Sequence, residues 1–176
     1  LNYGYHEIGM DHFALESDRL FKAMQNGDLH RNFMGYTTSN THLMIGLGAS
    51  SISDSWYGFA QNVKNVEEYQ NLVENDIIPL YRGHILSEED QIIRRHILNL
   101  MCQFKTSWSD FKLHLPQIDS ILNRLKEMEE DGLVTITKGS LRINEKGRPF
   151  VRNVCMAFDL PLQKKSPDTK LFSMTI

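Results

Sequence analysis

The chain has 176 residues and a formal net charge of −3, with 41% hydrophobic and 23% charged residues. This composition is typical of a globular protein that buries a core in one domain or two small ones. The slight negative charge provides no basic field for nucleic acid or an anionic membrane. Charged residues interrupt every long apolar run, so no membrane span is expected. The chain opens on Leu1, without the features of a signal peptide, and is interpreted as processed or cut from a longer protein.

Two cysteines, Cys102 and Cys155, lie far apart on apolar patterns of helical period. Buried small apolar side chains are expected at both positions, ahead of a disulfide or a reactive thiol. A 4Fe–4S cluster needs several cysteine thiolates, and the sequence contains no CxxxCxxC triplet. The chain also lacks zinc, Walker and nucleophile-elbow motifs. We therefore expect no metal site in this chain.

Residues 1–86 are rich in small, polar and aromatic residues, with short apolar segments between them. Strands with loops at their ends are therefore expected, with few helices. In chain order, the patterns predict a strand over 5–10, a helix from a Ser17 cap to Gly27, a loop over 29–39, a strand and small-residue loop over 43–52, and a helix over 67–74 ended by Pro79.

Residues 87–160 show a clear helical period and one hairpin. Helix, helix, hairpin and helix in that order predict a winged-helix-like domain. The last residues, 162–176, form a tail too short to fold alone, and Phe172, Met174 and Ile176 suggest that it docks on the body. The expected elements are a helix capped by Ser87 and Asp90, an amphipathic helix over 117–131 ended by Gly132, a hairpin over 133–143, and a helix capped by Asn144.

A winged-helix-like domain raises the possibility of DNA binding. Its second helix, 117–131, carries five acidic residues and only Arg124 and Lys126 as basic ones. A helix that enters the major groove presents arginine and lysine to phosphates. The charge therefore favours a packing or lid role and no nucleic-acid partner.

Two segments carry candidate binding residues. Asp11 and His12 follow an apparent strand, where such a pair shuttles a proton or holds the polar edge of a ligand. The alternative is a surface turn satisfied by water. In the segment 30–38, Arg31 has the donor geometry to pair with a carboxylate, and Tyr36 and Phe33 have flat faces for stacking on a ligand. The alternative is a well-packed loop.

A third segment, GLGASS at 46–51, allows close approach of its backbone to a ligand. It lacks the third glycine and the opening helix of a dinucleotide-binding fingerprint, so a tight turn is the alternative. Asp54, Trp56 and Tyr57 follow it and either line a pocket or pack in the core.

Several strings in one order resemble oxygen-independent coproporphyrinogen III oxidases, radical S-adenosylmethionine (SAM) enzymes. The resemblance spans essentially the whole chain. The strings are IGMDHFAL at 8–15, LHRNFMGYTT at 29–38, GLGASSIS at 46–53, FAQN at 59–62, LYRGHILSEEDQIIRRHILNLMC at 80–102, EDGLV at 130–134 and INEKGRPFVRNVCMAFD at 143–159.

The resemblance implies an α+β, mostly helical fold. Residues 1–86 would form the closing strands of a partial (βα) barrel, and residues 87–176 a helical, winged-helix-like C-terminal domain. The implied enzyme is cytoplasmic and decarboxylates two propionates of coproporphyrinogen III oxidatively to give protoporphyrinogen IX. Its cofactors are a 4Fe–4S cluster and SAM, and it needs an electron donor. The cluster-binding cysteines belong upstream, so this chain alone is expected to be inactive and to bind no cofactor tightly.

The resemblance also implies site residues. Ile52 matches a family position that contacts a second SAM molecule, and Met34 stands where some relatives have a glutamine near that SAM. A thioether lacks the donors of an amide, so this contact would be apolar or shifted. Asp11, His12, Arg31 and Tyr36 are the candidates for lining the substrate side, Arg31 because a guanidinium is the natural partner of a propionate.

Two alternatives stay open from the sequence. One is a related branch, the radical SAM haem chaperone-like proteins, which share the GLG block but typically lack the HRNFMGYTT and RNVCMAFD strings. Haem binding without porphyrinogen turnover would distinguish that branch. The other is a non-enzymatic winged-helix module that binds a partner protein or nucleic acid.

Overall fold

The computed structural model describes residues 3–160. Helices hold 39% and strands 27% of these residues, so the expected mixture of helix and strand is confirmed, with more strand than a mostly helical chain would have. The strands are β1 (Tyr5–Gly9), β2 (His12–Leu15), β3 (His30–Asn32), β4 (Gly35–Thr37), β5 (Leu43–Met44), β6 (Ile52–Ser55), β7 (Gly58–Asn62), β8 (Leu80–Ile85), β9 (Lys105–Ser107), β10 (Val134–Ile136) and β11 (Ser140–Ile143). The α-helices are α1 (Arg19–Asn26), α2 (Val66–Glu74), α3 (Glu88–Gln103), α4 (Ile118–Arg124), α5 (Lys126–Glu130) and α6 (Val151–Phe158).

The chain begins with an antiparallel hairpin of β1 and β2. Met10 has a φ of 50°, the left-handed conformation of a tight turn, and Asp11 follows it. Asp11 and His12 follow a strand as predicted, but β1 belongs to an antiparallel hairpin and the chain reverses at once into β2. Helix α1 follows, capped by the Asp18 side chain rather than by Ser17, and Gly27 ends it with a φ of 76° as predicted.

The segment predicted as a loop over 29–39 is a second hairpin. Strands β3 and β4 pair antiparallel with Arg31 opposite Tyr36, and Phe33 and Met34 form the turn. Each strand has only three residues, too few for an alternating pattern to be recognised.

A four-stranded antiparallel sheet with the order β5-β6-β7-β8 fills the middle of the chain. Of these four strands, the sequence patterns predicted only the first, β5. They also predicted helix α2, which lies between β7 and β8 in the chain and is capped by Asn65. All strand pairs among residues 3–160 are antiparallel. The parallel strands of a (βα) barrel are thus not confirmed within this part of the chain.

Helix α3 begins as predicted with a reciprocal capping box. The Ser87 hydroxyl accepts from the backbone N–H of Asp90, and the Asp90 carboxylate accepts from the N–H of Ser87. These two bonds satisfy orphan donors of the first turn and fix where the helix starts. The helix ends at Gln103, after which Phe104 adopts a left-handed φ of 55°.

After α3, a three-stranded antiparallel sheet has the order β10-β11-β9. Strand β10 contacts α5, strand β9 contacts α3, and α4 contacts both α5 and α6. The predicted hairpin is confirmed, and β9 is an additional strand. The single helix predicted over 117–131 is two short helices interrupted at Leu125. Asn144 makes no side-chain cap bond to the segment that follows, and instead donates to the Gly132 carbonyl at 3.0 Å.

One buried cluster joins both parts of the chain. Fully buried Ile8 of the first hairpin belongs to the same cluster as fully buried Leu100 of α3 and Phe158 of α6. Burial of these apolar side chains is the main force that holds the two hairpins against the helices. The hairpins are therefore fixed in place by the helical part of the chain.

Two further predictions concern spans and termini. Within residues 3–160, no helix is both long enough and apolar enough to cross a membrane. The predicted docking of Phe172, Met174 and Ile176 lies outside the described residues.

Candidate functional site: a cleft with an unpaired arginine

A cleft of about 1030 Å³ opens between the β3–β4 hairpin, the four-stranded sheet and helices α3 and α6. Its walls are mainly apolar, and charged side chains lie at intervals along them. A large, mostly apolar cleft with a few polar groups is the usual form of a small-molecule site. Apolar lining comes from Phe33, Phe59, Ile93, Ile97, Leu98 and Met101.

Arg31 of β3 lines this cleft and has spare hydrogen-bonding capacity. Its guanidinium carbon lies 4.7 Å from the centre of the Tyr36 ring, a cation–π distance. Its Nη1 atom is buried and has no hydrogen-bond partner. Among residues 3–160, no carboxylate forms an ion pair with Arg31. The prediction that Arg31 lies at a cavity is consistent with this geometry.

Tyr36 of β4 is buried and held from several sides. Its hydroxyl donates to the Met101 carbonyl of α3 at 2.9 Å, and the edge of the His12 ring packs on it with 5.1 Å between ring centres. Burial raises the pKa of Tyr36 to about 12, against the opposing effect of the Arg31 charge. Tyr36 does not line the cleft itself, so it supports Arg31 rather than facing the cavity.

His12 lies behind Tyr36, and Asp11 is exposed at the hairpin turn. The His12 Nδ1 atom is buried without a partner. Its ring packs so close to Gly35 that a Cβ there would stand 2.7 Å from Nε2. The two side chains therefore do not form a buried Asp–His pair, and their substrate-lining role stays a prediction.

Met34 and Ile52, the second-SAM candidates, lie on different hairpins. Met34 is 85% exposed at the β3–β4 turn, and Ile52 opens β6 opposite Gln61. Neither lines the 1030 Å³ cleft. Their assignment to a second SAM stays a prediction.

The small-residue loop 46–51 packs closely against its own sheet. A Cβ on Gly46 would lie 2.7 Å from the Ile52 carbonyl oxygen. The Asn62 amide donates to the carbonyls of Gly46 at 3.1 Å and Gly48 at 3.0 Å. These internal contacts explain the small residues. They agree with the alternative given from the sequence, which was a tight turn and not a ligand-binding loop.

The sequence reasoning missed Arg94 of α3, which joins α3 to the sheet. Its Nη2 lies 2.8 Å from Asp54 Oδ1, and its Nη1 donates to the Ser55 carbonyl at 2.7 Å. The guanidinium also lies 5.0 Å from the Trp56 ring and 4.9 Å from the Phe59 ring. The only signal in the sequence was an arginine beside the apolar Ile93, which reads as an ordinary surface position.

Other aromatic candidates divide between two clefts. Phe33 lines the first cleft, in edge contact with Phe59 at 5.2 Å, and its stacking on a ligand stays a prediction. Trp56 and Tyr57 line a second, more polar cleft of about 770 Å³ together with His30. Burial, assisted by the Arg94 charge, lowers the pKa of His30, whereas the Asp54 charge acts in the opposite direction.

The residues of this chain do not fit an iron–sulfur cluster. Burial raises the pKa of Cys102 to about 11 and that of Cys155 to about 12, so both are protonated thiols near neutral pH. Cluster ligands are thiolates. Within the described part of the chain, no group of three or more His, Cys, Asp or Glu side chains is arranged to hold a metal.

Comparisons with known proteins show what the chain is similar to. Residues 86–150 match the family model described as the HemN C-terminal domain. The fold is also similar to a solved structure from Escherichia coli, described as coproporphyrinogen III oxidase (HemN), a radical SAM enzyme. The two share 38% sequence identity with a TM-score of 0.83, over 90% of this chain and 38% of the other.

Individual relatives are similar along most of the chain. The oxygen-independent coproporphyrinogen III oxidase of Salmonella typhimurium is 38% identical over 168 residues, covering 93% of this chain and 37% of the relative. That of Synechocystis sp. is 38% identical over 98% of this chain and 39% of the relative. The resemblance to oxygen-independent coproporphyrinogen III oxidases is therefore confirmed. The chain spans somewhat over a third of the length of these relatives.

Proposed function

We propose that the protein containing this chain is an oxygen-independent coproporphyrinogen III oxidase. It would convert two propionates of coproporphyrinogen III into vinyl groups with release of carbon dioxide, giving protoporphyrinogen IX. The observation that carries this proposal is 38% identity to enzymes of that name over 93% of the chain.

The cleft supports a substrate-binding role for this part of the protein. Its apolar walls suit the body of a tetrapyrrole, and Arg31 suits a carboxylate at its edge. Tyr36 would orient Arg31, and His12 would support Tyr36 from behind. Asp11 is exposed at the turn and does not line the cleft, so it has the least structural support among the substrate-lining candidates.

The cofactors would act from the rest of the protein. In the full enzyme, a cluster-bound SAM supplies the radical that starts the oxidation. We assign no cluster ligand to this chain, and Ile52 and Met34 would contribute at most to a second SAM. An electron donor and a cytoplasmic location belong to the same proposal.

We further propose the division at residues 86 and 87, with a winged-helix-like domain from 87 onward. Support comes from the order α3, β9, α4, α5, β10 and β11, and from the matched family domain, which begins at residue 86. The acidic side chains of α4 and α5 disfavour DNA as its ligand. The barrel strands of the enzyme would come mainly from outside this chain.

The test is turnover by the full-length natural protein. Under anaerobic conditions with SAM and a reductant, we expect coproporphyrinogen III to disappear as protoporphyrinogen IX and carbon dioxide form. The same assay on residues 1–176 alone serves as the matched control and should give no product. A full-length protein that carries its cluster, binds haem and leaves coproporphyrinogen III unchanged would contradict the proposal in favour of haem trafficking.

A further inference from the structure

Three arginines line the 1030 Å³ cleft, Arg31 of β3, Arg94 of α3 and Arg152 of α6. Arg31 and Arg94 differ in what they bind. Arg94 has both terminal nitrogens engaged, one with Asp54 and one with the Ser55 carbonyl. Arg31 has no ion pair within residues 3–160, and its Nη1 is buried without an acceptor. A guanidinium has five donors, and buried donors are nearly always satisfied. The fold therefore leaves unmet hydrogen-bonding capacity at Arg31.

Two of the three acidic residues that line the cleft, Asp54 and Asp90, have other partners and do not supply the missing acceptor. The third, Asp159, also has a contact of its own. Asp54 is paired with Arg94. Asp90 caps α3 through Ser87 and lies 3.6 Å from His84, and these contacts lower the pKa of its carboxyl although burial acts to raise it. Both carboxylates are committed to holding the helix in place. An acceptor for Arg31 can therefore come from a ligand that enters the cleft.

The position of Arg31 is fixed by Tyr36. The guanidinium stacks 4.7 Å from the centre of the Tyr36 ring, and the ring is held by the bond from its hydroxyl to the Met101 carbonyl. On the first hairpin, Gly9 leaves room for this ring, since a Cβ there would collide with the Tyr36 hydroxyl. Three elements, β1, β4 and α3, thus meet at Tyr36 and determine where the guanidinium lies.

The surroundings of Arg31 indicate the chemistry of its ligand. Apolar side chains of α3 and the aromatic pair Phe33 and Phe59 line the same cleft. A guanidinium beside apolar walls pairs well with a planar two-oxygen anion on an apolar body, because little water competes for the charge. We propose that Arg31 binds a carboxylate of a flat apolar ligand in this cleft, and that Tyr36 is the positioning residue for its guanidinium. Identifying that ligand with a tetrapyrrole propionate rests on the proposed function.

The test is equilibrium binding to the full-length protein without SAM. Coproporphyrin III, the stable oxidised form with four carboxylates, is titrated beside its tetramethyl ester, which has the same apolar body and no charge. We expect Arg31→Met to weaken binding of the acid by roughly 10- to 100-fold and to leave ester binding unchanged. Arg31→Lys keeps the charge with fewer donors and should fall between Arg31→Met and the parent protein.

Two further variants distinguish the position of the Arg31 guanidinium from the general positive charge of the cleft. Tyr36→Phe keeps the ring but loses the anchoring bond, so the acid should bind a few-fold more weakly while the ester binds as before. Arg152→Met removes an exposed guanidinium from the same cleft and should change binding of the acid by less than about threefold. Unchanged ester binding also shows that each variant is folded.

Equal binding of the acid to the Arg31→Met variant and to the parent protein would overturn the inference, as would an equal loss for acid and ester. These outcomes are distinct from those of the turnover assay. Normal turnover without acid-selective loss would remove the Arg31 site and leave the proposed function standing. If Arg31→Met selectively weakens binding of the acid but the full-length protein does not turn over coproporphyrinogen III, the Arg31 site stands and the proposed function is contradicted.

Discussion

Replacing Arg94 with methionine is expected to lower the free energy of unfolding of this chain by about 3 kcal/mol. The Arg94–Asp54 pair is largely buried, with 15% and 11% of the two side chains exposed. Methionine keeps apolar contact with Trp56 and Phe59 but leaves the Asp54 carboxylate without its partner. An uncompensated buried charge is the main reason for the loss. Urea denaturation followed by circular dichroism measures it.

Two variants make the Arg94 result specific. Arg95 is the matched control, because it lies 4.6 Å from the same Trp56 ring but is exposed and has no ion pair within the described residues. Arg95→Met should lose less than about 1 kcal/mol. The double variant Arg94→Met with Asp54→Leu should be more stable than Arg94→Met alone. If the double variant instead loses the sum of the two single effects, the pair does not act as described.

His96 is expected to make this chain less stable as the pH falls. The side chain is fully buried, with Nε2 2.8 Å from the Leu113 carbonyl and Nδ1 2.7 Å from the Thr106 hydroxyl. A carbonyl only accepts, so Nε2 carries the proton and Nδ1 accepts from Thr106. Burial lowers the pKa of His96 below 6.5, against the opposing effect of the Leu113 bond.

The direction of the pH effect follows from this lowered pKa. Below about pH 6.5 the unfolded chain takes up a proton that folded His96 resists, so the contribution of His96 to stability is complete above that pH and declines below it. The slope reaches at most roughly 1.4 kcal/mol per pH unit, until the pH passes the folded pKa. Unfolding free energies at pH 7.5 and pH 5 measure the loss.

His96→Leu separates this contribution from those of other groups. The variant should lose about 2–4 kcal/mol at pH 7.5, because the Leu113 carbonyl and the Thr106 hydroxyl lose their partner. It should also lose less stability than the parent between pH 7.5 and pH 5. His114→Gln, at an exposed histidine, is the control and should leave the pH profile unchanged. An identical pH profile for His96→Leu and the parent would contradict the assignment.

Local signals in the sequence were sufficient for the start of α3 and the end of α1. The capping box of Ser87 and Asp90 and the glycine that ends α1 are short-range features with a direct physical reading. The β3–β4 hairpin could not be recognised in this way. Its strands have three residues each, and its position depends on the Tyr36 bond to Met101, 65 residues away in the chain.

The sequence indicated some of the residues that line the cleft and not others, for a related reason. Arg31 and Phe33 were candidates because their side chains suit a flat, acidic ligand. Tyr36 was assigned the same role, but its hydroxyl is used internally, which only a distant contact determines. Arg94 was missed because its partner Asp54 lies 40 residues earlier, and no local pattern pairs an arginine on a helix with an aspartate on a strand.

We propose that this chain is one part of a radical SAM oxidase and that the cluster is held by other residues of the full protein. Anaerobic reconstitution with iron and sulfide, followed by absorbance and iron analysis, tests it most directly. We expect a stoichiometric 4Fe–4S cluster on the full-length natural protein and none on residues 1–176. A stoichiometric cluster on this chain alone, or none on the full-length protein, would contradict it.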